Sequence, residues 1–188
     1  MSAWGVSPAQ TAHGMRNQMK GKTCIVTGAN SGIGKATACA LARKGAHVVM
    51  LCRSEARGTE AREEILRTCP SSRVDLIVGD LACSGSIREF ADRFKRDHGR
   101  LDVLVNNAGV YMPERMVNAA GYELTFAINH LGTFLLTTAL FDILKASAPS
   151  RVVTVSSAAH AIGRMAFDDL QMTGRYRPFL AYCNSKLA

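Results

Sequence analysis

Short apolar runs alternate with amphipathic stretches along most of the chain. The apolar runs predict five buried strands, over Thr23–Val26, Ala46–Leu51, Arg73–Val78, Leu101–Val105 and Arg151–Val155. The stretches between them predict helices over Lys35–Lys44, Glu55–Thr68, Ser84–His98 and Gly121–Ala146, and a further helix starting at Phe179. Segments 110–119 and 158–178 show no such period and are predicted to be irregular. Because nearly continuous apolar strands alternate with helices, the pattern predicts an α/β fold, a doubly wound parallel sheet in three layers, α/β/α.

A glycine-rich turn joins the first predicted strand to the first predicted helix. Glycine lets the backbone turn tightly and approach a ligand without a Cβ in the way. The helix that follows points its unpaired N–H groups and the positive end of its dipole at the turn, which favours a pyrophosphate. Such turns also occur for purely structural reasons, so the strand–turn–helix context carries the prediction. The predicted phosphate-binding residues are Gly28, Ala29, Asn30, Ser31, Gly32, Ile33 and Gly34.

Length and hydrophobicity indicate one globular domain. A chain of 188 residues is long enough for one sizeable core. Residues 1–20 are polar and rich in small side chains, so we expect a flexible lead-in there and a single domain over 21–188. The lead-in lacks the apolar centre of a secretory signal, and no apolar run of about 18 residues predicts a membrane span.

The net charge of +8 is concentrated in the first part of the sequence. Residues 1–54 contain seven Lys or Arg and no Asp or Glu, whereas the remainder is nearly balanced. A solvated basic surface is the simplest interpretation, but the position of the glycine-rich turn favours a positive field around a phosphate ligand. Nucleic-acid binding would need a basic stripe with stacking aromatic residues, and only 6% of residues are aromatic. We therefore expect no nucleic-acid partner.

The cysteine pattern predicts reduced thiols and no metal site. The six cysteines form no CxxC pair, and Cys24 and Cys52 lie within apolar runs. This pattern is typical of a reducing intracellular compartment, so we expect a cytoplasmic protein; the sequence leaves peripheral membrane association open.

Five motifs, in order, resemble the short-chain dehydrogenase/reductase family from about Lys22 to the end of the chain. They are Thr27–Gly34, Asp80-Leu81, Asn106–Gly109 with Asn129, Ser156-Ser157 and Tyr182–Lys186. The segments Asn129–Gly132, Ser147–Arg151 and Ala181–Ala188 are similar to the retinol dehydrogenase-like subgroup. The resemblance implies a Rossmann fold, a nicotinamide cofactor and interconversion of an alcohol and a carbonyl.

The end of the second strand favours NADP(H) over NAD(H). Family resemblance places an acidic residue for the ribose hydroxyls at position 52, where this chain has Cys52 followed by Arg53. A guanidinium suits a 2′-phosphate because it is planar, permanently charged and able to bind bidentately. Lys35 adds a charge nearby and is equally well interpreted as a solvated lysine. The resemblance also assigns the cofactor cleft Asp80, Leu81, Asn106, Asn107, Ala108 and Gly109, although Asp80 alone would serve to cap its own turn.

The resemblance gives catalytic roles to Asn129, Ser157, Tyr182 and Lys186. Tyr182 and Lys186 lie four residues apart, hence on one face of a helix. A tyrosine hydroxyl has an ordinary pKa of about 10 and needs a positive charge nearby to act as an acid or base near neutral pH. In the family, the tyrosine transfers the proton, Ser157 would orient the substrate oxygen, and the lysine also binds the cofactor, with Asn129 bending its helix around a proton-relay water. Asn129 is equally compatible with a solvent-facing residue.

The predicted function is therefore that of an NADP(H)-dependent oxidoreductase acting on a small apolar alcohol or carbonyl. The subgroup resemblance implies retinoid, lipid-aldehyde or steroid-like substrates. Family members continue beyond the Tyr-x-x-x-Lys pair, so we expect this chain to lack the last strands of the sheet and the substrate loop. The alternative is a catalytically silent module that binds NADP(H) or a protein partner. An exposed fifth strand would also favour self-association.

Overall fold

A five-stranded parallel sheet forms the centre of the protein in a computed structural model that describes residues 18–188. The strand order is β3-β2-β1-β4-β5. The strands are β1 (Thr23–Thr27), β2 (His47–Cys52), β3 (Arg73–Val78), β4 (Val103–Asn106) and β5 (Arg151–Thr154). The order reverses between β1 and β4, which makes the sheet doubly wound and confirms the predicted fold class.

Helices cover both faces of the sheet. They are α1 (Gly32–Arg43), α2 (Glu55–Thr68), α3 (Ser84–Asp97), α4 (Leu124–Phe126), α5 (Thr133–Ala139), α6 (Phe141–Ala146) and α7 (Pro178–Leu187). Successive side chains of β1 point to opposite faces, so Ile25 packs with α3, α5 and α6 while Cys24 and Val26 pack with α1 and α2. These two apolar layers enclose the sheet in the predicted three-layer arrangement.

The predicted helix over Gly121–Ala146 is wrong in detail. The helix begins at Leu124 and contains a π-helical segment, Ala127–Gly132, before α5 and α6 complete it. This segment lies very close to the loop after β3. A Cβ at Gly132 would collide with the carbonyl oxygen of Leu81. A π-helical turn places an extra residue in one turn and shifts the side chains that follow.

Other boundaries differ from the predictions by a few residues. Helix α1 starts at Gly32 within the glycine-rich turn, three residues before the predicted start. Segment 158–178 is not irregular throughout, because Ala158–Ile162 form a 3₁₀ helix. The lead-in predicted for residues 1–20 falls mostly outside the described residues. Its last part is a turn in which Met19 N donates to the Lys44 carbonyl at 3.0 Å.

The edge of the sheet at β5 is exposed. All four residues of β5 are exposed, whereas every residue of β1 is buried. Within residues 18–188, no helix is both long enough and apolar enough to cross a membrane.

Candidate functional site

The candidate site lies where the strand order reverses, at the carboxyl ends of β1 and β4. Doubly wound sheets bind their ligands in the crevice at this place. The glycine-rich turn leaves β1 here and is fixed to the end of β2, because Gly28 N donates to the Leu51 carbonyl at 2.9 Å. Gly28 and Gly32 have φ values of +64° and +52°, which side chains with a Cβ rarely adopt.

The turn and the start of α1 fit an anionic ligand. The Ser31 side chain makes no capping hydrogen bond to α1, and the first turn of α1 has no acidic residue. The N–H groups at this helix end are therefore available to a phosphate. Ile33 is 68% exposed there, an unusual exposure for a large apolar side chain. A Cβ at Gly34 would collide with the Asn107 side chain and the Gly28 carbonyl, so the backbone is close-packed beneath the turn.

The residues after β4 are tied to the end of β1. Thr27 Oγ1 accepts hydrogen bonds from the backbone N–H groups of Asn107 and Ala108, both at 2.9 Å, and Asn107 Nδ2 donates to the Thr27 carbonyl at 2.9 Å. Asn106 Nδ2 donates to Thr137 Oγ1 at 3.0 Å, whereas its Oδ1 is buried with no partner among the described residues. Such an orphaned acceptor fits a site that a ligand completes.

The ends of β2 and β3 form the remaining wall. Arg53 follows β2 directly and is exposed. Burial raises the pKa of Cys52 to about 11, although the backbone N–H groups of Ala29 and Asn30 act in the opposite direction. The side chain of Cys52 is thus a neutral neighbour of the turn, and no carboxylate occupies this position. Lys35 pairs with Glu64 at 2.6 Å, so its charge is partly neutralised.

The turn after β3 is stabilised by Asp80 itself. Asp80 Oδ1 accepts from Ala82 N at 2.9 Å, and Asp80 N donates to Ser86 Oγ at 3.0 Å. Leu81 is buried beneath the π-helical segment. The capping role that the sequence left open for Asp80 is therefore present, and a ligand role remains a prediction.

Lys186 and Asn129 meet behind the loop that follows β4. Lys186 Nζ lies 5.9 Å from the centre of the Tyr182 ring and donates to the Val155 carbonyl at 3.1 Å. A Cβ at Gly109 would lie 3.2 Å from Lys186 Nζ and 3.6 Å from Asn129 Oδ1, so glycine leaves room for both side chains. Burial lowers the pKa of Lys186. A cavity of about 250 Å³ opens beside these residues.

Asn129 lies in the π-helical segment and is only 7% exposed, so a solvent-facing role is excluded. Its Oδ1 accepts from Val110 N at 2.8 Å. Its Nδ2 donates to the Val110 carbonyl and to Ser185 Oγ, both at 2.9 Å. Asn129 thus connects the loop after β4 to α7, the helix that carries Tyr182 and Lys186. Ser185 was not a sequence candidate, although its position three residues after Tyr182 on one helix was the available signal.

The two serines after β5 have different environments. Ser157 Oγ accepts from Ala159 N at 3.2 Å and caps the 3₁₀ helix. Ser156 Oγ donates to the Lys186 carbonyl at 3.3 Å. Within residues 18–188, no hydrogen bond joins Ser157 to Tyr182, so its substrate-orienting role remains a prediction.

The sequence did not single out two further tyrosines, Tyr111 and Tyr176. The Tyr111 ring packs edge-on against Tyr182 with centroids 6.1 Å apart. Tyr176 OH donates to Glu123 Oε1 at 3.1 Å, and the buried Glu123 carboxylate also accepts from Thr125 N and Phe126 N. This carboxylate holds the segment before α7 against the start of α4. Its capping role went unrecognised because position 123 was predicted to lie inside a helix.

The basic residues of the first 54 positions do not gather at the glycine-rich turn. Lys20, Lys22, Arg43 and Lys44 lie at the amino ends of the strands, the opposite end of the sheet. Only Lys35 and Arg53 accompany the turn, and Arg16 lies outside the described residues. The prediction that these basic residues create a positive field around a phosphate at the turn is therefore wrong for most of them. Proximity in sequence gave no indication of which end of each strand a residue would occupy.

Curated relatives of this chain are retinol dehydrogenases. Retinol dehydrogenase 13 of Homo sapiens is 47% identical over 169 residues, which cover 89% of this chain and 51% of the relative. Retinol dehydrogenase 12 of Homo sapiens is 48% identical over 171 residues, which cover 91% and 54%. The chain spans about half the length of the curated relatives it matches.

Solved structures share the fold. An uncharacterized protein from Mycobacterium paratuberculosis has a TM-score of 0.79 and 39% identity, over 94% of this chain and 61% of that one. A short chain dehydrogenase from Escherichia coli CFT073, solved in complex with NADPH, has a TM-score of 0.73 and 27% identity, over 92% and 69%. The family described as short chain dehydrogenase matches residues 22–168. This match covers most of the chain, which therefore belongs to the short-chain dehydrogenase family.

Proposed function

We propose that this chain acts as an NADP(H)-dependent oxidoreductase that interconverts an alcohol and a carbonyl, with Tyr182 as the acid/base. The observation that carries the proposal is the position of Lys186. Its Nζ faces the Tyr182 ring at 5.9 Å and lies beside Gly109, at the carboxyl end of β4 next to the glycine-rich turn. The residue proposed to transfer the proton and the turn proposed to bind phosphate thus lie at the same carboxyl end of the sheet.

The family uses a nicotinamide cofactor, and the end of β2 favours the phosphorylated form. Arg53 is exposed beside the turn. Position 52 has a neutral cysteine instead of a ribose-binding carboxylate, which would repel a 2′-phosphate. The similar Escherichia coli structure was solved with NADPH. We assign the pyrophosphate to the segment 28–34. Arg53 would contact the 2′-phosphate, and the remaining cleft residues are Asp80, Leu81, Asn106, Asn107, Ala108 and Gly109, with Tyr182 and Lys186.

In the proposed mechanism, the bound nicotinamide supplies or accepts the hydride. Tyr182 gives a proton to the substrate oxygen or takes one from it. A positive charge on Lys186 stabilises negative charge that develops on the Tyr182 oxygen. Asn129 positions α7 through Ser185 and holds the loop after β4 through Val110. Ser157 would orient the substrate oxygen.

The relatives and the surroundings of Tyr182 support the proposed substrate class. The relatives are named retinol dehydrogenases, so we propose a retinoid, a lipid aldehyde or a steroid-like compound. Exposed apolar side chains near Tyr182 include Tyr111 at 51%, whose ring packs against it, and Phe179 at 52%, three residues earlier on α7. A reducing, cytoplasmic setting is supported by the six free cysteines, all within the described residues.

The experiment pairs an NADPH fluorescence titration with turnover of retinal, a lipid aldehyde and a steroid ketone. Tyr182→Phe removes only a hydroxyl, so NADPH affinity should be unchanged while kcat falls by about 10²–10⁴-fold. Tyr122→Phe, at a 47% exposed tyrosine outside the site, serves as the matched control and should retain full activity.

Near-normal turnover by Tyr182→Phe would contradict the acid/base role. Binding of NADPH by the unaltered chain without turnover of any substrate would instead favour the catalytically silent module. An absence of NADPH binding would contradict the cofactor assignment itself.

A further inference from the structure

A large basic cavity lies at the end of the sheet opposite the candidate site. Its volume is about 1020 Å³, and it is bounded by the starts of β1, β2 and β3 and the carboxyl ends of α1 and α2. We call this the basic cavity. Its cationic lining residues are Lys20, Lys22, Arg43, Lys44, Arg73 and Arg100, and none of its lining residues is Asp or Glu.

The acidic groups nearby do not balance these charges. Asp102 pairs with Lys22 at 2.9 Å and with Arg100, and Asp75 pairs with His47, another lining residue. Within residues 18–188, Lys20, Arg43, Lys44 and Arg73 make no ion pair. The carboxyl ends of α1 and α2 add about half a negative charge each. Six cations against two carboxylates and two helix dipoles leave an excess of about three positive charges.

The volume of the basic cavity and its uncharged lining residues indicate a small, soluble ligand. The volume is at the upper end of ligand pockets, which span about 300–1,000 Å³. Thr68 and Ser71 add exposed hydroxyl groups to the wall. Among residues 18–188, none of the exposed large apolar side chains belongs to a residue that lines the basic cavity. A lipid surface normally engages apolar side chains as well as cations, so a soluble anion is the better fit.

We propose that the basic cavity binds a small polyphosphate anion, of the nucleoside di- or triphosphate class, at a site separate from the cofactor cleft. Arginine binds phosphate oxygens bidentately, and lysine contributes point charges on flexible stems. Arg43 ends α1 and Arg73 begins β3, so the two arginines line the cavity from two different elements. The separation from the cofactor cleft follows from the topology, because the two sites lie at opposite ends of the same parallel strands. The inference does not rest on the proposed function.

Isothermal titration calorimetry with sodium tripolyphosphate, at constant ionic strength, tests the proposal on the 188-residue chain. Arg43→Gln combined with Arg73→Gln should weaken tripolyphosphate binding at least tenfold. Arg88→Gln combined with Arg96→Gln removes the same charge from the exposed face of α3 and should leave the affinity unchanged. Thermal melting of each double variant establishes that its fold is intact. Arg53→Ala, which alters the proposed cofactor cleft at the other end of the sheet, should leave the tripolyphosphate affinity unchanged.

Three outcomes would overturn the proposal. The first is equal loss of affinity in the two double variants, which would indicate a general charge effect. The second is a loss of tripolyphosphate affinity in Arg53→Ala, which would place the anion in the cofactor cleft. The third is binding to phosphatidylcholine vesicles containing phosphatidic acid without binding to tripolyphosphate, which would indicate a lipid surface.

Discussion

In the proposed function, Cys52 and Arg53 at the end of β2 decide between NADPH and NADH. A carboxylate at the end of β2 would accept hydrogen bonds from two ribose hydroxyls and repel a 2′-phosphate. Cys52 offers neither interaction, since its thiol is buried and burial raises its pKa to about 11. Lys35 pairs with Glu64, so Arg53 is the cation best placed to distinguish NADPH from NADH.

Arg53→Ala should therefore weaken NADPH binding at least tenfold and change NADH binding little. A hydrogen bond to a charged group is typically worth about 1.5–3 kcal/mol, and only NADPH has the phosphate that receives it. Fluorescence titration with both cofactors measures the effect. Arg57→Ala, an exposed arginine on α2 four residues away, is the matched control. Equal losses for the two cofactors in Arg53→Ala would contradict the assignment.

For individual residues, the sequence predicted which side chains lie on one face of a helix better than it predicted their hydrogen-bond partners. The spacing of Tyr182 and Lys186 placed them on one helical face, and the structure has Lys186 Nζ 5.9 Å from the Tyr182 ring. Asn129 was left between a catalytic role and a solvent-facing one, because its burial depends on the approach of α7 through Ser185. Ser157 Oγ accepts a hydrogen bond from Ala159 N, two residues later, and so caps the 3₁₀ helix that follows it. Contacts of this kind depend on tertiary packing, which periodicity does not report.

Among the elements, the strands and most helices were predictable and the π-helical segment was not. Strand β3 and helix α2 have the predicted bounds, since both begin and end at clear polar or turn positions. The prediction of one regular helix over Gly121–Ala146 failed because a π-helical turn leaves no signature in the spacing of apolar residues. The segment lies against the Leu81 carbonyl at Gly132, a contact that joins two distant parts of the sequence. The segment places Asn129 and so couples the loop after β3 to the candidate site.

Gly132→Ala should destabilise the protein by about 1–3 kcal/mol, because the new methyl group meets backbone that has no rotamer to relieve the overlap. Urea unfolding with a shift of the midpoint measures the loss. The control is Gly85→Ala in the first turn of α3, where a Cβ would have its nearest neighbour at 3.9 Å. That variant should be neutral or stabilising by up to about 1 kcal/mol, since alanine favours helix more than glycine does. Equal midpoints for the two variants would contradict the close contact at Gly132.

At the scale of the whole molecule, the parallel strands place the two proposed binding sites at opposite ends of the sheet. Parallel strands of five or six residues place their amino and carboxyl ends about 17–20 Å apart. The carboxyl ends carry the glycine-rich turn and Tyr182, and the amino ends carry the basic cavity. Asp102 stabilises the amino end by joining β1 to the start of β4. Burial alone would raise its pKa, but hydrogen bonds from Arg100, Lys22 and Thr23 N outweigh burial and lower the pKa to about 2. The charge asymmetry was visible in the sequence, yet its location required the topology.

The two edges of the sheet differ in how they are protected. Strand β3 carries Arg73 and Asp75 at one edge, and charged side chains discourage pairing with another strand. Strand β5 at the other edge exposes Val152 and Val153, at 46% and 48%. Arg151 N donates to the Asp102 carbonyl and Val155 N to the Asn106 carbonyl. Because successive N–H groups of a strand point to opposite sides, the N–H of Val152 points away from β4. Within residues 18–188, no strand pairs with that outer edge.

We therefore expect the 188-residue chain to self-associate through β5 as its concentration rises. Val152→Lys should shift the species seen by sedimentation velocity toward the monomer, because a lysine at the edge opposes pairing of a second strand. Val78→Lys is the matched control, since Val78 is 44% exposed and lies on the opposite edge, and it should leave association unchanged. Hydrogen exchange should be fast at β5 in dilute solution, slower at high concentration, and slow throughout in the buried strand β1. A monomer at every concentration, or an equal effect of the two lysine substitutions, would contradict an association built on β5.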